Sequence, residues 1–298
     1  MNNKGLTASF IFEAFGANYG ENVGNFTMLK KITREGGGMY SYISRQALRY
    51  NIIQQLGWDN TPVEEMGETK KVVQFAPSAR IDEYPEIDLF GYMKTQKNSN
   101  AFTRSAVVRL SHALALESYN GDTDYLTNMG QSKRIGAANE ISQSEIHRSF
   151  YAYTITIDLD LVGIEKNLSG NVGIDIGKEE KIKRVQQLLS AIQYLYRDVK
   201  GRRENLSPVF AIGGVYERKT PFFDGRLSIY KGSLEIEKFK NILQSDSTIS
   251  KNTLIGYVDG FFKNAGKIKE DKELAVKSMT DFFKELSRKV EEYYNESR

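Results

Sequence analysis

The 298-residue chain has no cysteine, only five prolines, one tryptophan and two histidines. Without cysteine it can form neither a disulfide nor a thiolate metal site, which fits a reducing compartment. No apolar stretch approaches the roughly 18–20 residues of a membrane span. The first ten residues, MNNKGLTASF, lack the basic start and apolar run of a signal peptide. The expectation is a cytoplasmic protein with no membrane contact. H-E-x-x-H, G-x-S-x-G and Walker A signatures are absent, and glycines 36–38 are not followed by the Lys-Ser/Thr of a phosphate loop.

Hydrophobic residues make up 40% and charged residues 27%, enough to bury a sizeable core. The net charge of +3 hides a segregated pattern. Residues 28–50 hold Lys30, Lys31, Arg34, Arg45 and Arg49 against Glu35 alone; residues 89–116 hold Lys94, Lys97, Arg104 and Arg109 with no acid. Between them, residues 58–88 carry Asp59, Glu64, Glu65, Glu68, Asp82, Glu83, Glu86 and Asp88 against Lys70, Lys71 and Arg80. Such segregation suits a basic surface for a polyanion and an acidic one elsewhere. Solvated loops of random sign explain it equally well.

Periodicity gives the elements. LTASFIFEA alternates, with Leu6, Ala8, Phe10 and Phe12 on one face, which predicts a half-buried strand. SRQALRYNIIQQLG predicts a helix: Ser44 caps it, Ala47, Leu48, Ile52 and Leu56 form its stripe, and Gly57 ends it. Residues 58–86 read as a polar, acidic excursion. IDLFGYM and SAVVRLSHALALES read as strands, the second with Val108, Leu110, His112, Leu114 and Leu116 on one face. Residues 118–149 read as a long polar insertion. FYAYTITIDLDLVG alternates strongly, from Tyr151 through Leu161. A second helix carries Ile182, Val185, Leu188, Leu189, Ile192 and Tyr196. PVFAIGGVYE is another strand, and a charged helix over roughly 270–294 follows, with Leu274 and Phe282 on its apolar side.

The order strand, helix, two strands, helix, strand is the split βαβ pattern of ferredoxin-like and RRM-type α+β domains. It predicts a single domain over 1–298 with insertions, and a C-terminal loop and helical extension over 217–298. The RRM fingerprint is absent, and fold by itself says nothing of function.

Candidate chemistry is sparse. His112 falls on the expected apolar face and reads as a core histidine; His147 reads as structural or as a backbone contact. Asp158 and Asp160 share a strand face and read as solvated or salt-bridged rather than as metal ligands. No catalytic residue, metal or cofactor is expected. The stretch GGGMYSYISRQALRYNII, 36–53, is more informative. Glycines allow close backbone approach, and Arg45 and Arg49 lie four apart near a helix start suited to phosphate oxygens. Tyr40 and Tyr42 are placed to stack on bases. The alternative, tyrosines packed under the helix and solvated cations, stays open on the residues alone.

YISRQALRYNII resembles the I-S-x-Q-x-x-[KR]-R segment of the Cas-seven superfamily, the backbone subunits of type I CRISPR surveillance complexes (Cascade), and within it the DevR-like, type I-B branch. DLFGYM, VVRLSHALALES and EIHRSFYAYTITIDLDLVG are similar to further family segments in the same order, so the resemblance covers about 5–57 and 87–163. It implies a modified RRM palm with fingers (58–86) and a thumb (118–149), stacking in copies along a CRISPR RNA as a helical oligomer. The implied partners are CRISPR RNA, target DNA through guide pairing, further copies of the chain and other Cascade subunits. Carried over position by position, it implies RNA contacts at Ser44, Gln46 and Arg49, and at Asn25, Lys30 and Lys31 in the first loop. Met93 matches a methionine beside a displaced base, and Lys133 and Arg134 fall in the thumb; Arg45 stands where serine is common. Related type III subunits cleave RNA with an aspartate after the first strand. Residues 14–43 hold no aspartate, which favours binding without cleavage. An RNA-cleaving type III subunit and a ferredoxin-like metabolic enzyme are the alternatives.

Overall fold

The computed structural model describes residues 4–16, 18–34, 36–66, 71–95, 102–166 and 171–296. Glu35, Glu68, Lys70 and Lys97, counted in the charge pattern, lie outside them. The chain is a mixed α+β fold around an eight-stranded antiparallel sheet. Its strands are β1 (Gly5–Ala14), β2 (Lys31–Thr33), β3 (Met39–Ile43), β4 (Val108–Leu110), β5 (Ala113–Ala115), β6 (Ser149–Asp158), β7 (Phe210–Tyr216) and β8 (Thr253–Tyr257). They lie in the order β8-β7-β1-β6-β5-β3-β2, with β4 also paired to β6. Three helices, α1 (Arg45–Leu56), α2 (Lys178–Gln193) and α3 (Met279–Glu296), pack against one face.

The first strand is buried on both faces, not one. Leu6, Ala8, Phe10 and Phe12 meet the three helices, as the alternation predicts. Ile11 belongs to a second cluster with Phe210, Ile212, Phe223, Phe239 and Phe262, because residues 221–274 fold over the other face. The polar residues there pair off: Ser9 Oγ and Thr154 Oγ1 are 2.7 Å apart.

Four expected elements differ from the structure. IDLFGYM is a helix, Pro85–Phe90, followed by a short strand, Tyr92–Lys94. Pro85 presets the first helical turn. At Gly91 (φ 73°) the segment Arg104–Ala106 passes so close that a Cβ would stand 2.4 Å from the Arg104 carbonyl oxygen. The second helix stops at Gln193, and Tyr196 opens a hairpin. The last helix starts at Met279, where Ser278 Oγ accepts the Asp281 N–H at 3.0 Å and donates to its carboxylate at 2.6 Å, a reciprocal cap. Leu274 lies in the second cluster instead.

The fourth difference positions the site. SAVVRLSHALALES is two strands, both paired to β6. Leu110 sits opposite Ile155 but Leu114 opposite Ala152, so one extra residue is accommodated at Ser111–His112, a β-bulge. Ser111 holds it: its N–H donates to the Thr154 carbonyl and its Oγ accepts the Thr154 N–H, both at 2.9 Å. The alternation flips there, burying Ala113 and Ala115 and leaving His112 exposed rather than in the core.

Candidate nucleic-acid interface

The first N–H groups of a helix have no partner inside it. At α1 they are satisfied by side chains from two distant loops. Ser44 is the N-cap, its Oγ accepting the Ala47 N–H at 3.2 Å. The Ser44 N–H donates to Asn18 Oδ1 at 2.7 Å, and the Arg45 N–H to His112 Nδ1 at 3.0 Å. With Nδ1 accepting, the neutral imidazole carries its proton on Nε2. Although the residue is largely exposed, partial desolvation of the ring against the helix start, then the charges of Arg45 and Lys30, hold the His112 pKa below its ordinary value, which agrees with the neutral ring that the hydrogen bond requires.

Lys30, Arg45 and His112 therefore lie together at the helix start. Among the described residues no carboxylate pairs with Lys30, Arg34 or Arg45. Arg34 lies over the Tyr40 ring at 5.0 Å and Tyr42 meets His112 edge-on at 5.2 Å, and both tyrosines are half-buried. The glycines at 36–38 make the turn joining β2 to β3; Gly36 and Gly37 have φ of 86° and 80°, which side-chain-bearing residues resist. A cleft of about 220 Å³ opens beside this cluster, lined by Arg34, Ser111, His112 and Phe223.

The remaining sequence-derived residues divide. Gln46 is exposed on the first turn of α1. Arg49 turns toward Glu86 at 3.5 Å and the Phe90 ring at 5.0 Å, and burial lowers its pKa against the pull of Glu86. Lys31 Nζ is bound to Glu145 at 2.6 Å and lies over the Tyr119 ring at 4.5 Å. Glu145 also accepts the Leu29 N–H at 2.7 Å; burial and this carboxylate push the Tyr119 phenol up to about 12.

Residues 118–149 have regular secondary structure. Thr123–Thr127 and Ile141–Glu145 form a hairpin around a short helix, Met129–Ile135, and join Tyr19–Val23 and Phe26–Leu29 in one four-stranded sheet. This brings Asn25 and Arg134 into the lining of one cavity of about 550 Å³, with Lys133 exposed beside Arg134 in the chain. Met93 stands apart on its own hairpin, 64% exposed. Asp158 pairs with Arg109 at 2.9 Å and Asp160 with Lys219. Among the described residues no three His, Cys, Asp or Glu side chains are grouped to hold a metal ion, and no helix is long and apolar enough to cross a membrane.

The model of the CRISPR-associated negative auto-regulator DevR/Csa2 family matches residues 6–233. The chain belongs to the DevR/Csa2 family. Its fold is similar to that of a chain in a solved CRISPR RNA-guided surveillance complex described as pre-nicking. The TM-score is 0.59 and the identity 11%, over 95% of this chain and 99% of that one. A chain of another CRISPR RNA-guided surveillance complex gives 0.57 and 14%, over 95% and 98%. At these identities the likeness is one of fold. Comparison with curated protein sequences finds no match.

In this DevR/Csa2 member, two residues that sequence reasoning missed organise the helix start: Asn18, in an unremarkable loop, and His112, whose bulge leaves no periodic signal. A basic hairpin tip, Lys200-Gly201-Arg202-Arg203, was also passed over, although its charge run is legible.

Proposed function

We propose that this DevR/Csa2 protein is a backbone subunit of a type I, Cascade-type surveillance complex that holds CRISPR RNA by its phosphates. The observation that carries the reading is the helix start, where Lys30 and Arg45 stand beside the capped N-terminus of α1 without a carboxylate partner among the described residues. The two cations suit phosphate oxygens and read no base sequence. The structural neighbours come from RNA-guided surveillance complexes, which supports the reading.

In this reading the central strands β7-β1-β6-β5 with α1 and α2 are a modified RRM palm, and the sheet built around residues 118–149 is the thumb. Leu126 and Ile135 of that sheet's hairpin and helix are 72% and 82% exposed, as expected of a surface that meets a further copy of the chain. Target DNA would be read through guide pairing, not by protein side chains. The subunit binds without cleaving, since the segment after β1 offers no aspartate. Sequencing the RNA that co-purifies with the full chain tests the proposal. A set of CRISPR RNAs with differing spacers is expected; RNA without repeat-derived sequence would overturn it.

A further inference from the structure

The hairpin Tyr196–Val199/Arg202–Asn205 has no part in the site described above, yet its chemistry is that of a single-strand binder. Five cations (Arg148, Arg197, Lys200, Arg202 and Arg203) face three carboxylates (Glu13, Asp198 and Glu204). Of the ion pairs, only Arg197–Glu204 is buried. Arg148–Glu13 at 2.8 Å, Arg203–Asp198 at 2.9 Å and Arg202–Glu204 at 3.5 Å each leave a solvent-exposed guanidinium, and exposed pairs exchange readily for a phosphate. Lys200 pairs with no carboxylate among the described residues.

Each of the four exposed cations is underlaid by an aromatic ring. Arg202 and Arg148 lie over Phe15 at 4.8 and 5.8 Å, Lys200 over Tyr19 at 4.1 Å, and Arg203 over Tyr196 at 4.5 Å. A cation stacked on a ring keeps donors free for phosphate, and interleaved rings and cations suit the alternating bases and phosphates of one strand. Phe15, Arg148, Arg202 and Arg203 line an open cavity of about 270 Å³, with Glu13 and Glu204, the carboxylates of their ion pairs, in the same wall.

The tip is also held in place. Lys200 and Gly201 both have positive φ, 45° and 76°, the geometry of a two-residue turn whose first position normally takes Asn, Asp or Gly. Lys200 at that position puts a cation at the outermost point of the hairpin. The Lys231-Gly232 turn has the same geometry but no following arginines, so the turn alone is not the argument. Glu204 pins the hairpin to the end of β1, accepting the Phe15 N–H and Arg197 Nε, both at 2.6 Å.

The location connects it to the helix start. Tyr19, under Lys200, adjoins Asn18, whose side chain caps Ser44 and whose carbonyl accepts the Lys30 N–H at 2.8 Å. At the other end the Tyr196 N–H donates to Gln55 Oε1 in the last turn of α1. The hairpin thus spans from the end of α1 to the loop that holds its start.

We infer that Phe15, Tyr19, Arg148, Lys200, Arg202 and Arg203 form a second subsite for single-stranded RNA, binding phosphates and stacking bases, continuous with the track at Lys30 and Arg45. This rests on the RNA-binding reading and extends it. The test uses fluorescent oligouridylates of increasing length with the full chain at several salt concentrations. The variants are Lys200→Ala/Arg202→Ala/Arg203→Ala and, separately, Lys30→Ala/Arg45→Ala, each checked for an unchanged melting temperature. The hairpin variant is expected to lose the affinity gained by longer oligomers, and the salt slope to fall by about 2, given ~0.7 per phosphate on single strands. Photo-crosslinks at Phe15 or Tyr19 in the wild type are expected to disappear with it. If the hairpin variant binds every length as wild type while the Lys30/Arg45 variant weakens, this inference falls and the RNA-binding reading stands. If both variants bind as wild type, both fall.

Discussion

The backbone N–H of Arg45, at the start of α1, donates to Nδ1 of His112 at 3.0 Å. This bond ties the helix to the bulge between β4 and β5, so the cation at the helix start is placed by a strand 67 residues further along the chain. The same bond requires an unprotonated Nδ1, which makes the geometry of the basic cluster dependent on a neutral imidazole.

Acid should therefore weaken the fold before carboxylates are protonated. Burial holds His147, whose Nδ1 lies 2.7 Å from Ser41 Oγ, below its ordinary pKa, as it does His112. A histidine whose pKa is lowered on folding takes up its proton first in the unfolded chain. Stability is then full above about 6.5 and declines as pH falls through that value toward the folded pKa. Urea midpoints at pH 7.5 and 5.5 are expected to drop, and the drop to shrink in His147→Gln. A midpoint independent of pH over that range would contradict the assignment.

Lys30 and Lys31 are neighbours with opposite expectations. Lys31 is matched by Glu145, so Lys31→Met should cost stability, about 1–3 kcal/mol for an uncompensated partner, and leave the salt dependence of RNA binding nearly unchanged. Lys30→Met should do the reverse, removing about 0.7 from the slope and weakening guides of different spacer sequence equally. Affinity titrations over a salt series, paired with urea unfolding, separate the two roles.

Asp88 is the electrostatic hub under the acidic segment. Wholly buried, it binds Arg104 at 2.6 Å, Arg184 at 2.9 Å and the Gly163 N–H at 2.9 Å. Burial pushes its pKa up while the two guanidiniums pull it back. Asp88→Asn leaves Arg104 without its carboxylate and Arg184 with Glu180 alone, and should cost about 3–5 kcal/mol, seen as a lower urea midpoint at an unchanged slope. A loss under ~1 kcal/mol would show that the network does not carry the packing of Pro85–Phe90 on α2.

Incubation of the purified protein with Mg²⁺ or Mn²⁺ and a guide paired to target RNA should leave the target intact. Regularly spaced cuts on a denaturing gel would instead favour a type III-like, RNA-cleaving subunit.

Local chemistry was readable wherever it decides structure locally. The alternation of Tyr151 to Leu159 specified a strand, and Ser44 and Gly57 specified the ends of α1, because periodicity and capping act over a few residues. Lys30 and Arg45 were visible as cations, and the family was visible in the order of its segments. Tertiary structure alone decided which cations stay uncompensated. Glu145, 114 residues away, takes Lys31, and no sequence window contains that choice. It also decided that β1 is covered on both faces, since residues 221–274 return over it from far along the chain. The bulge that turns His112 outward depends on a hydroxyl inserted into a neighbouring strand. Pattern in the sequence reports burial one residue at a time, whereas ion pairing, bulges and double coverage depend on what distant segments bring to the same point.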